Sequence, residues 1–162
     1  MSQKKNKQAS TTFHSKLYIG IDPGKSGAIA SIDNLNMKAW KCPDNANDMC
    51  HLFHLILGWH AADSLHVLME RVWARPNNAS RAAFNYGVNY GQWLGVLAGH
   101  DIEPELILPR NWMKFYGMKK GMEYSERKKW LKAKAQELYP DIKVTLINAD
   151  AILIAHYLKE RK

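Results

Sequence analysis

Cysteine is scarce in this chain: Cys42 and Cys50 are the two among 162 residues. Two cysteines with no CxxC spacing make no disulfide framework, and they fit a reducing, intracellular setting, taken here as cytoplasmic. No apolar run approaches about 18 residues, so neither a membrane-spanning helix nor a membrane partner is expected. The first residues lack the apolar stretch of a secretory signal. No Walker-type glycine loop occurs, which argues against a P-loop nucleotidase. Acid is the minority charge. Fifteen Asp and Glu against 23 Lys and Arg leave a formal net charge of +8. That excess points to a polyanionic partner, most often nucleic acid, with a merely basic soluble protein as the plainer alternative. The length suits one full core and is short for two ordinary domains.

What is present is organised around Leu17-Tyr-Ile-Gly-Ile-Asp-Pro-Gly24. Leu17, Ile19 and Ile21 alternate, the period of a strand with one buried face. Asp22 closes the run, where a carboxylate has no packing value. Pro23-Gly24-Lys25-Ser26-Gly27 is turn chemistry, and Ala28–Ile32 continues as a second strand. Asp22 is either a turn former or a metal ligand fixed on rigid backbone.

Residues 1–15, with Lys4, Lys5 and Lys7, read as a disordered basic arm. Met37–Lys41 predicts a third strand. A helix is expected from about Asn47 to Trp59, with Met49, Leu52, Phe53, Ile56 and Leu57 as its apolar stripe. Leu65–Glu70 is the next strand, and it too ends in an acid. Arg71-Val-Trp-Ala-Arg-Pro76 follows as a basic, aromatic loop. A long helix is expected over about Ala79–Gly99, with Gly87, Gly91, Gly95 and Gly99 along one face. Each glycine costs roughly 1 kcal/mol against Ala in a helix interior. Tight packing on the chain's own sheet is the expected reason, and a subunit interface is the alternative.

Glu105–Leu108 predicts a strand and Pro109–Tyr116 a short helix. Ser125 is the expected cap of a basic helix over Glu126–Tyr139. Val144–Ile147 is a short strand or an extended lead-in. The last helix is expected from Asn148, as N-cap, to about Lys159. Strands first, then strands and helices in alternation, mean α/β with a mixed central sheet flanked by helices.

Asp150 sits in the first turn of that last helix, on one face with Leu153, Ile154 and Tyr157. That face must pack on the sheet, which turns Asp150 toward the strand ends. Three clustered acids repel unless a cation joins them. Hard oxygen ligands suit Mg2+ or Mn2+. Plainer readings remain: Glu70 paired with Arg71 or Arg75, and Asp150 favoured by the helix dipole.

In these stretches the chain resembles the RuvC family of Holliday junction resolvases, particularly the short versions carried by phages. The matching segments are Ile19-Gly-Ile-Asp-Pro-Gly24, Met69-Glu-Arg-Val-Trp73, Leu108-Pro-Arg-Asn-Trp-Met-Lys114, Glu126-Arg-Lys-Lys-Trp-Leu131 and Ala149-Asp-Ala-Ile-Leu-Ile-Ala155. They come in the family's order and span nearly all of residues 16–158. The resemblance implies an RNase H-like nuclease domain over residues 16–162, a homodimer, and DNA cleavage with two Mg2+ ions, Mn2+ substituting. By it, Asp22 bridges both ions while Glu70 and Asp150 each complete one site. The products carry 5′-phosphate and 3′-hydroxyl ends. The substrates are four-way junctions, with flaps and forks as further branched DNA.

Trp73 falls where the family places an aromatic wedge. Lys114 falls where it places a basic residue near the scissile phosphate. Lys119, Lys120 and Arg127 compete for a second basic role. Lys25, Arg71, Arg75 and Lys128 complete the candidate DNA contacts. One position departs from the pattern. Where the family has a further acid or His, one turn before Asp150, this chain has Ile147. Asn148 beside it offers a neutral oxygen as a weak further ligand. The departure keeps open a junction-binding protein with little or no nuclease activity. An actin-like ATPase, which opens with a similar strand and Asp, needs two related lobes where this chain supplies one.

Overall fold

The computed structural model describes residues 16–33, 36–58, 64–71 and 80–162. Five strands form one mixed sheet: β1 (Leu17–Asp22), β2 (Ala28–Ile32), β3 (Met37–Lys41), β4 (Leu65–Glu70) and β5 (Glu105–Ile107), in the order β3-β2-β1-β4-β5. β1, β2 and β3 pair antiparallel, while β1–β4 and β4–β5 are parallel. The helices are α1 (Ala46–Leu57), α2 (Ser80–Gly99), α3 (Pro109–Phe115), α4 (Tyr124–Leu138) and α5 (Ala149–Glu160). The expected 1–15 arm lies outside the described residues, as does the loop carrying Trp73 and Arg75.

Two cores cover the two faces of the sheet. Leu17, Ile19 and Ile21 pack with Met49, Phe53 and Ile56 of α1 and with Trp93, Val96 and Leu97 of α2. Tyr18, Ala30 and Leu68 face the other way, against α5, Trp112 of α3 and Leu131 of α4. All six β1 residues are therefore buried, which corrects the expectation of a strand with one buried face. The reason is α5, which lies directly over β1. A Cβ added to Gly20 would stand 2.5 Å from Ala151 O and 2.9 Å from Ala155 Cα. The missing side chain lets the helix backbone reach the strand. α5 is enclosed in turn by the sheet and by α3 and α4, so Ala149 to Ala155 are all buried.

Three local expectations change, and a fourth is refined. The α2 glycines do not meet the sheet, because a Cβ at Gly87, Gly91, Gly95 or Gly99 would have nothing within 4 Å. The face that packs is Asn89, Trp93, Val96 and Leu97, on the opposite side of the helix. Helix α4 starts at Tyr124, so Ser125 lies within it instead of capping it. Residues 144–147 form no strand; Thr145 Oγ1 accepts from Ile147 N and Asn148 N and builds a turn. Asn148 stands at the expected N-cap of α5, but its side chain makes no capping hydrogen bond. Its Oδ1 accepts from Thr145 N at 2.7 Å, and its Nδ2 donates to Lys143 O at 3.2 Å.

Candidate active site

Strand period decides where the first two acids point. Asp22 is in phase with Tyr18, which belongs to the α5 core. Glu70 is in phase with Leu68, in that same core. Ile21 pairs with Met69 in register, so both carboxylates emerge side by side at the ends of adjacent parallel strands. The close crossing of α5 at Gly20 brings Asp150 to the same place. Asp22 and Asp150 are 7% and 5% exposed, among the few buried polar residues.

The charges show how the acids meet. Burial pushes the Asp22 carboxyl well above its usual range, Asp150 and Glu70 add to the rise, and Lys128 opposes it. Burial likewise raises Glu70, to about 7; Asp150 adds, and the Trp112 indole with the Lys128 and Arg127 charges works against it. Trp112 Nε1 donates to Glu70 Oε2 at 2.8 Å. Lys128 Nζ donates to Asp150 Oδ2 at 2.6 Å. Burial would lower the Lys128 pKa, yet Asp150 and Asp22 hold it above its ordinary value. The other oxygen, Asp150 Oδ1, is buried with no hydrogen-bond partner among the described residues.

Three carboxylates, one of them with an orphaned buried oxygen, form a hard-donor set suited to Mg2+ or Mn2+. With Lys128 on Asp150 and Trp112 on Glu70, no group of three His, Cys, Asp or Glu is preformed around one ion among the described residues. The chemistry of the donors fits a divalent ion, and Lys128 supplies the positive charge the cluster requires.

The turn that carries Asp22 is braced from behind. Gly24 N donates to Asn89 Oδ1 at 2.7 Å. Asn89 Nδ2 and Trp93 Nε1 donate to Cys42 Sγ at 3.4 and 3.1 Å. Cys42 N donates to Gly27 O at 2.9 Å. Gly24 has φ +124°, a conformation that side chains rarely adopt, and a Cβ at Gly27 would strike the Asp22 carbonyl. Beyond the turn, a cleft of about 390 Å³ runs between Asp22–Gly27, Tyr86 of α2, and Tyr124 and Lys128 of α4.

Around this centre the candidate residues divide. Lys25 and Lys128 line the cleft. Lys114 is exposed at the last turn of α3, and Lys119 and Lys120 are exposed in the loop to α4. Arg71 is exposed just after Glu70, and Arg127 is half-buried. Trp73 and Arg75 lie outside the described residues. Sequence reasoning assigned no role to Gly20, Asn89, Trp93, Cys42 or Trp112. Gly20 had a signal, as a glycine inside a strand marks close backbone approach. The others act by bonds between residues more than forty positions apart, which spacing does not encode.

A mixed five-stranded sheet in the order β3-β2-β1-β4-β5, flanked by helices, is an RNase H-like fold. Comparison with solved structures narrows this to the RuvC fold. Thermus thermophilus RuvC in complex with a Holliday junction substrate superposes with a TM-score of 0.54 at 14% identity, covering 87% of this chain and 91% of that one. A second Thermus thermophilus RuvC structure gives a TM-score of 0.54 at 15% identity, covering 87% of this chain and 92% of that one. No family model matches the chain, and no curated sequence is detectably similar to it.

Proposed function

We propose that the chain is a divalent-metal-dependent endonuclease of the RuvC type that cuts branched DNA. Four-way junctions are its main substrate, with flaps and forks as further ones. The observation that carries this reading is the buried convergence of Asp22, Glu70 and Asp150, with Asp150 Oδ1 left unpaired. Such a cluster is costly for stability, and a function explains its retention. The fold similarity to a junction-bound RuvC supports the substrate class.

Asp22, Glu70 and Asp150 would hold two Mg2+ ions, or Mn2+ in their place, with Asp22 shared. When bound, such ions activate water and stabilise the leaving 3′ oxygen, leaving a 5′-phosphate and a 3′-hydroxyl. Lys128, which holds Asp150 here, would be free to pair with DNA phosphate once Asp150 served as a ligand. The Trp112 hydrogen bond keeps Glu70 in place throughout. Lys25, Lys114, Lys119, Lys120, Arg71 and Arg127 neutralise the backbone, and Trp73 and Arg75 engage bases and phosphates at the opened branch. Asn148 is not part of this ligand set, because its Oδ1 is spent on Thr145. We place the working protein in the reducing cytoplasm of a phage host or bacterium. It acts there as a homodimer through the outer face of α2, where Phe84 is 71% and Val88 43% exposed beside the open glycines.

Asp22→Asn should abolish Mg2+-dependent cleavage of an immobile four-way junction while junction binding is retained. Normal cutting by that variant would overturn the assignment. A junction-binding protein with weak nuclease activity is the second reading. It is favoured by the 38% exposed Ile147 in place of a ligand and by Lys128 already neutralising Asp150. Junction binding with no scission in either Mg2+ or Mn2+ would establish it.

A further inference from the structure

Beside the acids lies a second cavity, of about 550 Å³, which shares no residue with the Asp22 cleft. This is within the roughly 300–1,000 Å³ range of small-ligand sites. Leu108, Pro109, Met113 and Met118 give it an apolar floor, and Arg71, Arg110 and Arg127 give it three positive charges. No acid lines it. No ion pair involves any of these guanidinium groups among the described residues. Arg127 lies over the Tyr124 ring at 5.2 Å, and its Nε is buried with no acceptor. A buried charged donor without an acceptor is unfavourable. The lining thus sets unpaired guanidinium groups, suited to an anion, next to an apolar surface.

We propose that this cavity is a subsite for one unpaired nucleotide of the DNA strand being cut, with its base on the methionine-lined floor and its phosphate among the three arginines. Inorganic phosphate would leave the floor uncovered, and an apolar ligand would leave the guanidiniums unmatched; a nucleotide answers both. Methionine suits such a floor because its flexible, polarisable side chain adapts to different rings. The location ties the subsite to the acids. Arg71 follows Glu70 in the chain, Met113 follows the Trp112 that holds Glu70, and Arg127 precedes the Lys128 that holds Asp150. A nucleotide in the cavity would thus neighbour the phosphate at the acids. The inference rests on the nuclease reading for its choice of a DNA strand over a free mononucleotide.

The test has two arms. The first labels methionine methyls with carbon-13 and titrates the full chain with the four deoxynucleoside 5′-monophosphates, thymidine, or inorganic phosphate. The Met113 and Met118 methyls should move with the nucleotides and much less with thymidine or phosphate, while buried Met49, on the opposite face of the sheet, stays still. Arg110→Ala, with its fold checked by circular dichroism, should weaken that response severalfold. No shift with any nucleotide at millimolar concentration overturns the proposal, as does an equal response to phosphate alone. The second arm places a single abasic residue at each position flanking the cut in a four-way junction. One position should slow cleavage about tenfold, the cost of one lost base contact, and Arg110→Ala should erase that dependence. A flat scan on a junction that is still cut means a free-nucleotide site and overturns the strand assignment. If no junction is cut at all, the nuclease reading fails, and the methionine shifts alone decide whether the nucleotide site stands.

Discussion

Helices cover both faces of the sheet's central strand β1, yet the two faces do different things. Toward α1 and α2 the interior is mostly apolar, and the buried Asn89 and Cys42 there bond to one another. Toward α5 the interior admits two buried aspartates and an orphaned carboxylate oxygen. The glycines repeat the contrast. Gly20 is in place for this chain's own packing, because α5 backbone occupies the space of its side chain. The α2 glycines face open space, so nothing within the described chain accounts for their cost. One face spends stability to gather charge, and the outside of the other spends it on a surface.

The largest effect that would sharpen this contrast is at Gly20. Gly20→Val should destabilise by about 3 kcal/mol or more, since the atoms it meets are backbone and cannot swing aside. Urea unfolding measures the loss, and cleavage should fall with it as Asp150 is displaced. An unchanged midpoint would mean that α5 does not cross the strand so closely.

Next comes pH. Glu70 is raised to about 7 from an ordinary 4.5, and Asp22 is raised in the same direction. Between those values the native protein holds protons that the unfolded chain has released. Its stability in chelator should therefore be fully present below about 3.8, the ordinary value for Asp22, and fall as pH rises toward 7, by on the order of 2–3 kcal/mol. Glu70→Gln should flatten that slope. A metal-free stability that rises through this window would contradict the buried acid cluster.

The smallest effect is on α2. Gly91→Ala and Gly95→Ala should each stabilise a monomeric chain by roughly 0.5–1 kcal/mol, because a helix with free space beside it gains from losing glycine flexibility. If the stripe forms the homodimer face, the same variants should also weaken self-association in sedimentation. Stabilisation without any change in association would separate the glycines from the dimer.

Much of this architecture was legible from residue patterns. Alternation in Leu17–Ile21 marked β1, and acids ending two apolar runs marked Asp22 and Glu70. The 3.6-residue period that turned Asp150 inward also belongs to the chain alone. Periodicity reports a side chain's direction relative to its own backbone, so it reaches as far as one element. It mistook β1 for a half-buried strand because the alternation alone does not register a covering helix, whose one mark in the strand is Gly20. It rightly placed Asn148 at the N-cap of α5 but could not show that Thr145, three residues earlier, would take its side chain in place of the helix amides.

By itself, then, the amino-acid order determined which elements form, where each acid sits on its element, and the excess of positive charge. Only the tertiary structure decided which groups answer those acids. Sheet order put β1 beside β4, the approach at Gly20 brought α5 over both, and α3 and α4 delivered Trp112 and Lys128 to Glu70 and Asp150. The physical reason is range. Torsional preference and hydrophobic period act over a few residues, whereas desolvation and Coulomb interactions depend on which distant segments the packing brings together.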